Sequence, residues 1–275
     1  MQQLFIRAVS GAVYAFIVLS ASFTPPYGPV FLAIFLGSAA IMEWMAFTGN
    51  KQVSRPAGLM LGIFLLSVFL FSNRFEIDQK QTAFSYLTIS LLTISLALTQ
   101  AFTKKRDVPN ALFHSFFGLV YITVPLCSLT QISFFKGAEE PWLLAGIFIL
   151  IWSSDTFAYL VGKRFGRHKL LPSVSPNKTW EGFAGAVIAT VVVSIILGVY
   201  LASYPTWMWL GLGLMVIVFG SAGDLFESAL KRAYGLKDSG KFMPGHGGIL
   251  DRIDSLLFAL PMAHFYLIAV EYYLQ

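Results

Sequence analysis

Charge is scarce in this chain, and cysteine scarcer still. Only 12% of its 275 residues are Asp, Glu, Lys or Arg, where a soluble domain has about a quarter. Hydrophobic residues make up 56%, and the mean hydropathy is +0.70. Such a chain is a polytopic membrane protein, in which an ionisable residue is the exception. The single cysteine, Cys127, excludes an internal disulfide and a Cys-rich metal site, and its apolar surroundings mark it as a small core residue. No GxxxxGK[ST] stretch is present, which excludes a P-loop nucleotide site. Nor is there an HExxH or a GxSxG, which removes the commonest zinc and serine hydrolase readings. The net charge of +5 does not call for nucleic acid, because cytoplasmic loop charges give the same balance in a membrane protein.

What remains is a string of apolar runs. About 20 mostly apolar residues cross a bilayer, and the chain offers about nine such runs: roughly 4–23, 29–48, 57–73, 83–102, 111–135, 141–161, 181–203, 206–229 and 254–274. The fold expected is therefore all-α and polytopic. The first run is too long for a signal-peptide core of about 7–15 residues and reads as an uncleaved span. With nine spans, the N-terminus and the loops after spans two, four, six and eight share one side, and they hold 16 of the 19 Lys and Arg residues. The other side has only Arg74, Lys80 and Lys136. The positive-inside rule then puts the N-terminus in the cytoplasm and the C-terminus outside. Residues 1–140, with about five spans, form an N-terminal transmembrane region. Residues 141–275 form a second region with cytoplasmic loops at 162–181 and 230–253.

The unusual chemistry sits in that second region. Asp224, Glu227, Ser228 and Lys231 recur at i, i+3, i+4 and i+7, which sets them on one helix face. Asp251, Asp254 and Ser255 repeat the spacing at the start of the last span. Between them, Pro244-Gly245-His246-Gly247-Gly248 cannot continue a helix. Four carboxylates on two adjoining helix ends are hard oxygen ligands of the kind that select Mg²⁺ or Mn²⁺. The bland alternative is a set of salt bridges with Lys231, Arg232 and Arg252. Upstream, Asp155 lies beside an apolar run, costly unless it is paired or faces a polar recess. A pairing with Lys163, two turns on, is the simple alternative. In the loop that follows, Ser175-Pro176 reads as a helix cap or turn, and Asn177, Lys178 and Thr179 offer donors at a helix start, where phosphate binds well.

The run from Ser228 to Asp254, SALKRAYGLKDSGKFMPGHGGILDRID, closely resembles the C-terminal hallmark of the phosphatidate cytidylyltransferases, the CDP-diacylglycerol synthases. Met243 is its one soft departure, where that family more often has Ile or Leu. Ser154-Asp155 through Gly166, and Ser175-Pro176-Asn177-Lys178-Thr179-Trp180-Glu181-Gly182, resemble the family's upstream block. Residues 153–255 thus carry the specific likeness, and the first 150 match only as apolar spans. The resemblance implies a Mg²⁺-dependent transfer of CMP from CTP to phosphatidic acid, giving CDP-diacylglycerol and pyrophosphate. It implies a bacterial-type plasma membrane enzyme with its active site facing the cytoplasm. Asp224 and Asp251 are the first choices for holding the metal, with Asp254 as a further ligand or orienting group. Lys231, Arg232, Lys237 and Arg252 would neutralise phosphates, and Gly247 and Gly248 would let backbone amides approach the nucleotide. Asn177 and Lys178 would hold the phosphate of either substrate. Asp155, Ser175, Asp238 and His246 complete the expected substrate contacts. The phosphatidate oxygen is already anionic, so no general base is expected. Membrane lipid is the only other partner expected; a second cation and a homodimer are left open. Two rivals stand beside this reading: an anion transporter coupled through Asp155 and Asp224, and a lipid kinase that moves the γ-phosphoryl of CTP.

Overall fold

A computed structural model describes residues 2–47, 111–201, 203–240, 242–243 and 247–274. The expected spans at 57–73 and 83–102 lie outside the described residues, as do the loops that carry Lys51, Arg55, Arg74, Lys80 and Lys104 to Arg106. Lys241 and the Pro244-Gly245-His246 turn lie outside them too. The helices are α1 (Gln2–Ser22), α2 (Tyr27–Phe47), α3 (Ala111–Ile132), α4 (Pro141–Phe165), α5 (Trp180–Tyr200), α6 (Thr206–Met215), α7 (Ser221–Ala233) and α8 (Leu250–Leu274). A short ribbon, β1 (Lys169–Leu171) with β2 (Ser175–Thr179), joins α4 to α5. Among the described residues, six stretches are long and apolar enough to cross a membrane: Tyr27–Ala46, Phe117–Gly137, Pro141–Phe165, Trp180–Tyr200, Thr206–Ala233 and Leu250–Tyr273. In α1 the apolar part is the shorter Ala8–Ser22. The protein is an all-α, polytopic membrane protein.

Small residues decide which helices pack closely. The most extensive helix pair is α4 with α5. There a Cβ added at Gly182 would lie 2.7 Å from the Ala158 carbonyl oxygen, and one at Gly185 would lie 2.6 Å from the Val161 side chain. Without a water-driven force between helices, such close backbone approach is the main source of packing energy. The outward face of α5 exposes Ile188, Val192, Ile195 and Val199, as a surface covered by lipid tails should. Helix α8 is the most central, in contact with α2, α3, α6 and α7. An aromatic cluster locks this centre: Trp44 of α2, Phe117 and Tyr121 of α3, Phe226 of α7 and Phe258 of α8. Cys127 is buried in the same core.

Two local departures position the site. Between α6 and α7, Val216–Gly220 winds as a π-helix, so the rod from Thr206 to Ala233 is continuous but carries one wide turn. One additional residue in a turn re-aims the side chains that follow by about 100°. The second departure corrects the sequence reading of Ser175, which is neither a cap nor a tight turn. It opens strand β2, and Thr179 is the cap of α5, its hydroxyl accepting from the Gly182 amide at 3.1 Å. Pro176 supplies the reason, because a residue before proline is pushed out of the helical region into extended backbone. Glu181 closes the ribbon, accepting from the amides of Arg167 and His168 at 3.1 and 3.2 Å.

Candidate active site

Asp155 lies ten residues before the end of α4, about 15 Å along the helix. It makes no ion pair with Lys163, whose ammonium sits over the Tyr159 ring at 5.6 Å. Instead, Asp155, Asp224 of α7 and Asp254 of α8 stand near enough for their charges to act on one another, with Glu227 adding to the field at Asp254. Gly223 makes this approach feasible: a Cβ there would lie 2.4 Å from the Asp254 carbonyl oxygen, so only glycine lets α7 lie so close to α8. One cation reaches into the group. Lys178 of β2 pairs with Asp224 at 2.5 Å, both side chains still more than a quarter exposed. The two motifs singled out from sequence, one on the ribbon and one on α7, thus meet in a direct contact. Ser228 Oγ donates to Asp224 at 3.4 Å, as the i, i+4 spacing anticipated. Arg252, exposed on the first turn of α8, makes no ion pair among the described residues, and its charge reaches Asp155 and Tyr14 of α1.

A second group lies deeper and is closed. Lys231 pairs with Glu227 at 2.6 Å and with Asp251 at 2.5 Å, and its side chain is only 12% exposed. The remaining oxygen of Asp251 accepts from Ser239 N at 2.9 Å, Ser239 Oγ at 3.0 Å and Gly248 N at 2.8 Å. Asp251 therefore gathers the loop before α8 onto the helix it begins. Gly247 sits against the same carboxylate with φ +88, a conformation glycine adopts without strain. Of the basic residues expected at phosphates, Lys231 is committed to this triad. Arg232 donates from one guanidinium nitrogen to the Leu236 carbonyl at 3.2 Å, closing the end of α7. Lys237, Asp238 and Asn177 are exposed. His246 lies outside the described residues.

One residue of this region was not singled out from sequence. Glu43 of α2 is buried, with Oε1 accepting from Ile249 N at 2.9 Å and Oε2 accepting from Leu250 N at 3.0 Å, while the Ser239 hydroxyl, shared with Asp251, lies 3.1 Å from Oε2. The signal was present in the sequence, because Glu43 is the lone ionisable side chain in an otherwise apolar span. The argument applied to Asp155 and Asp224 covers it equally.

The carboxylates fit a divalent cation in a particular way. Asp155 has no hydrogen-bond or ion-pair partner among the described residues, and Asp254 accepts only from the next amide, Ser255 N, at 2.7 Å. Negative charge is thus in excess around Asp224. No three acidic or imidazole groups among the described residues close around one point. That donor set suits Mg²⁺, which is commonly bound by one or two carboxylates and completed by substrate phosphates and water. Asp224, with Asp155 and Asp254 beside it, meets this description. Asp251 would have to shed four protein donors first.

Comparison with known proteins agrees with the resemblance in kind and carries the likeness beyond residues 153–255 into the N-terminal spans. A model of the cytidylyltransferase family matches residues 5–270. A phosphatidate cytidylyltransferase of Bacillus subtilis is 37% identical over 270 residues, 97% of each chain. Phosphatidate cytidylyltransferases of Staphylococcus aureus and Staphylococcus saprophyticus are 48% and 44% identical over 123 and 124 residues, about half the length of those relatives.

Proposed function

Because the chain belongs to the cytidylyltransferase family, we propose the following account of its reaction and site. It transfers CMP from CTP to phosphatidic acid, giving CDP-diacylglycerol and pyrophosphate. An oxygen of the phosphatidate phosphate bonds to the α-phosphorus of CTP, the bond from that phosphorus to the α,β-bridging oxygen breaks, and pyrophosphate carries the electron pair away. The attacking oxygen is already an anion, so the chain need not supply a base. Its task is to hold two polyanions together and to offset their charge.

The observation that carries the placing of the site is the Lys178–Asp224 ion pair, which joins the ribbon to the acidic group. In this reading a Mg²⁺ held by Asp224, with Asp155 and Asp254 beside it, would offset the triphosphate charge. Lys178 turns from Asp224 to a substrate phosphate, so its charge is conserved in the site while its partner changes. Arg252, exposed and without an ion pair among the described residues, takes a second phosphate, and Lys237 adds its charge from the loop. Lys231 and Asp251 hold the loop in shape from within. By the positive-inside rule the site faces the cytoplasm.

The test uses the purified full-length protein, phosphatidate and CTP labelled at the α-phosphorus. Label should enter the lipid, with pyrophosphate released in equal amount. Release of CDP with transfer of the γ-phosphoryl would mean lipid kinase chemistry and overturn the reading.

A further inference from the structure

We propose that Glu43 is a positioning residue for the reaction: from the opposite end of the sequence it anchors Ser239 on one side of the glycine-rich loop and Ile249 and Leu250 on the other, and so holds both ends of that loop against α8. Its two carboxylate oxygens take the N–H groups of Ile249 and Leu250, which open α8 and have no acceptor within that helix. A carboxylate at a helix N-terminus also meets the positive end of the helix dipole. Both glycines around it are shaped to admit it. A Cβ at Gly240 would lie 2.5 Å from Glu43 Oε1, and one at Gly248 would lie 2.4 Å from Oε2.

Ser239 extends the anchor. Its Oγ lies 3.1 Å from Glu43 Oε2 and 3.0 Å from Asp251 Oδ2, and accepts from the Asp251 amide at 3.3 Å. One hydroxyl thereby ties α2 to the Lys231–Asp251 triad. The hydrogen-bond partners of Glu43 are Ser239, Ile249 and Leu250, none of them assigned to a substrate, so it acts through the loop. The proposal rests on the reading that the loop serves CTP.

The test compares Glu43→Gln, Ser239→Ala and the double variant as full-length protein in detergent. Gln keeps the volume of Glu but turns one acceptor into a donor that faces the Ile249 or Leu250 N–H. Hydrogen exchange of the 239–250 amides should accelerate at least about tenfold in Glu43→Gln, while α4 and α5 stay as protected as in the parent. The KM for CTP should rise about tenfold, with the KM for phosphatidate within about twofold. Ser239→Ala should move both readouts in the same direction. The double variant should be little worse than Glu43→Gln alone, because the two residues act through one network. Unchanged exchange in 239–250, additive effects, or equal rises in both Michaelis constants would each overturn the proposal. Failure of the unmodified protein to make CDP-diacylglycerol would instead overturn the functional reading, and the exchange pattern would still decide whether Glu43 anchors the loop.

Discussion

Asp224 and Asp251 carry the same side chain in opposite circumstances, and substitution should separate them. Asp224 is more than a quarter exposed, with Lys178 and Ser228 as its partners. Asp224→Asn should insert and fold normally yet lose at least about 100-fold in turnover, the cost of one strong electrostatic contact of about 3 kcal/mol. Thermal unfolding in detergent and initial rates check the two halves of this expectation. Asp251 is 6% exposed and serves Lys231, Ser239 and Gly248. Asp251→Asn leaves Lys231 buried with one acid fewer, and breaking such a pair costs about 3–5 kcal/mol. That variant should lose thermal stability as well as activity, where Asp224→Asn loses activity alone. At Lys178, removal of the ammonium frees Asp224 but deletes a phosphate contact. Lys178→Ala should raise the KM for one substrate in steady-state assays, with folding intact; unchanged kinetics for both would return the residue to a purely topological role.

Among the elements, the contact of α7 with α8 matters most for the site, and Gly223 is its narrowest point. Gly223→Ala places a methyl 2.4 Å from the Asp254 carbonyl oxygen, so the helices must part. Turnover should fall at least about tenfold, because a displacement near 1 Å is enough to misplace reacting groups. A rate assay on protein shown intact by size-exclusion chromatography checks this. Much of this arrangement was legible in the sequence. The helical spacing of Asp224, Glu227, Ser228 and Lys231 read correctly as one face, and the two motif blocks singled out from sequence meet in the Lys178–Asp224 pair. The π-turn at Val216–Gly220 was not legible, since no local residue pattern demands one more residue in a turn. The strand at Ser175 was missed because the functional expectation of a cap outweighed the simple effect of Pro176 on its neighbour. Glu43 was legible as a lone acid in an apolar span, but its partners were not: they are backbone amides some 200 residues away, and no periodicity reports a contact of that separation.

At the scale of the whole molecule, two N-terminal helices, α2 and α3, pack into one core with the helices α7 and α8 that carry the candidate site. Trp44 packs on Phe117 and Tyr121, and Tyr121 on Phe226 and Phe258, so α2, α3, α7 and α8 share one core. Residues 141–275 expressed alone should therefore yield no CDP-diacylglycerol in membranes, whereas the full chain should. By the positive-inside rule, the split of 16 basic residues against three predicts the orientation. A reporter at the N-terminus should be cytoplasmic and one at the C-terminus external; finding both on one side would mean an even number of spans.

The reach of Glu43 also bears on how the chain is made. Its carboxylate enters the bilayer with α2, but Leu250 lies 207 residues later. At about 5–20 residues per second of synthesis, some 10–40 s separate the two. Throughout that interval the acid lacks the amides that satisfy it, and a chain that stops before Ile249 never acquires them. Completion of the last helix is thus the event that turns an unsatisfied acid into a satisfied one. Docking of α8 should coincide with the onset of protease resistance, and truncation upstream of Ile249 should leave α2 as the segment that cellular quality control detects.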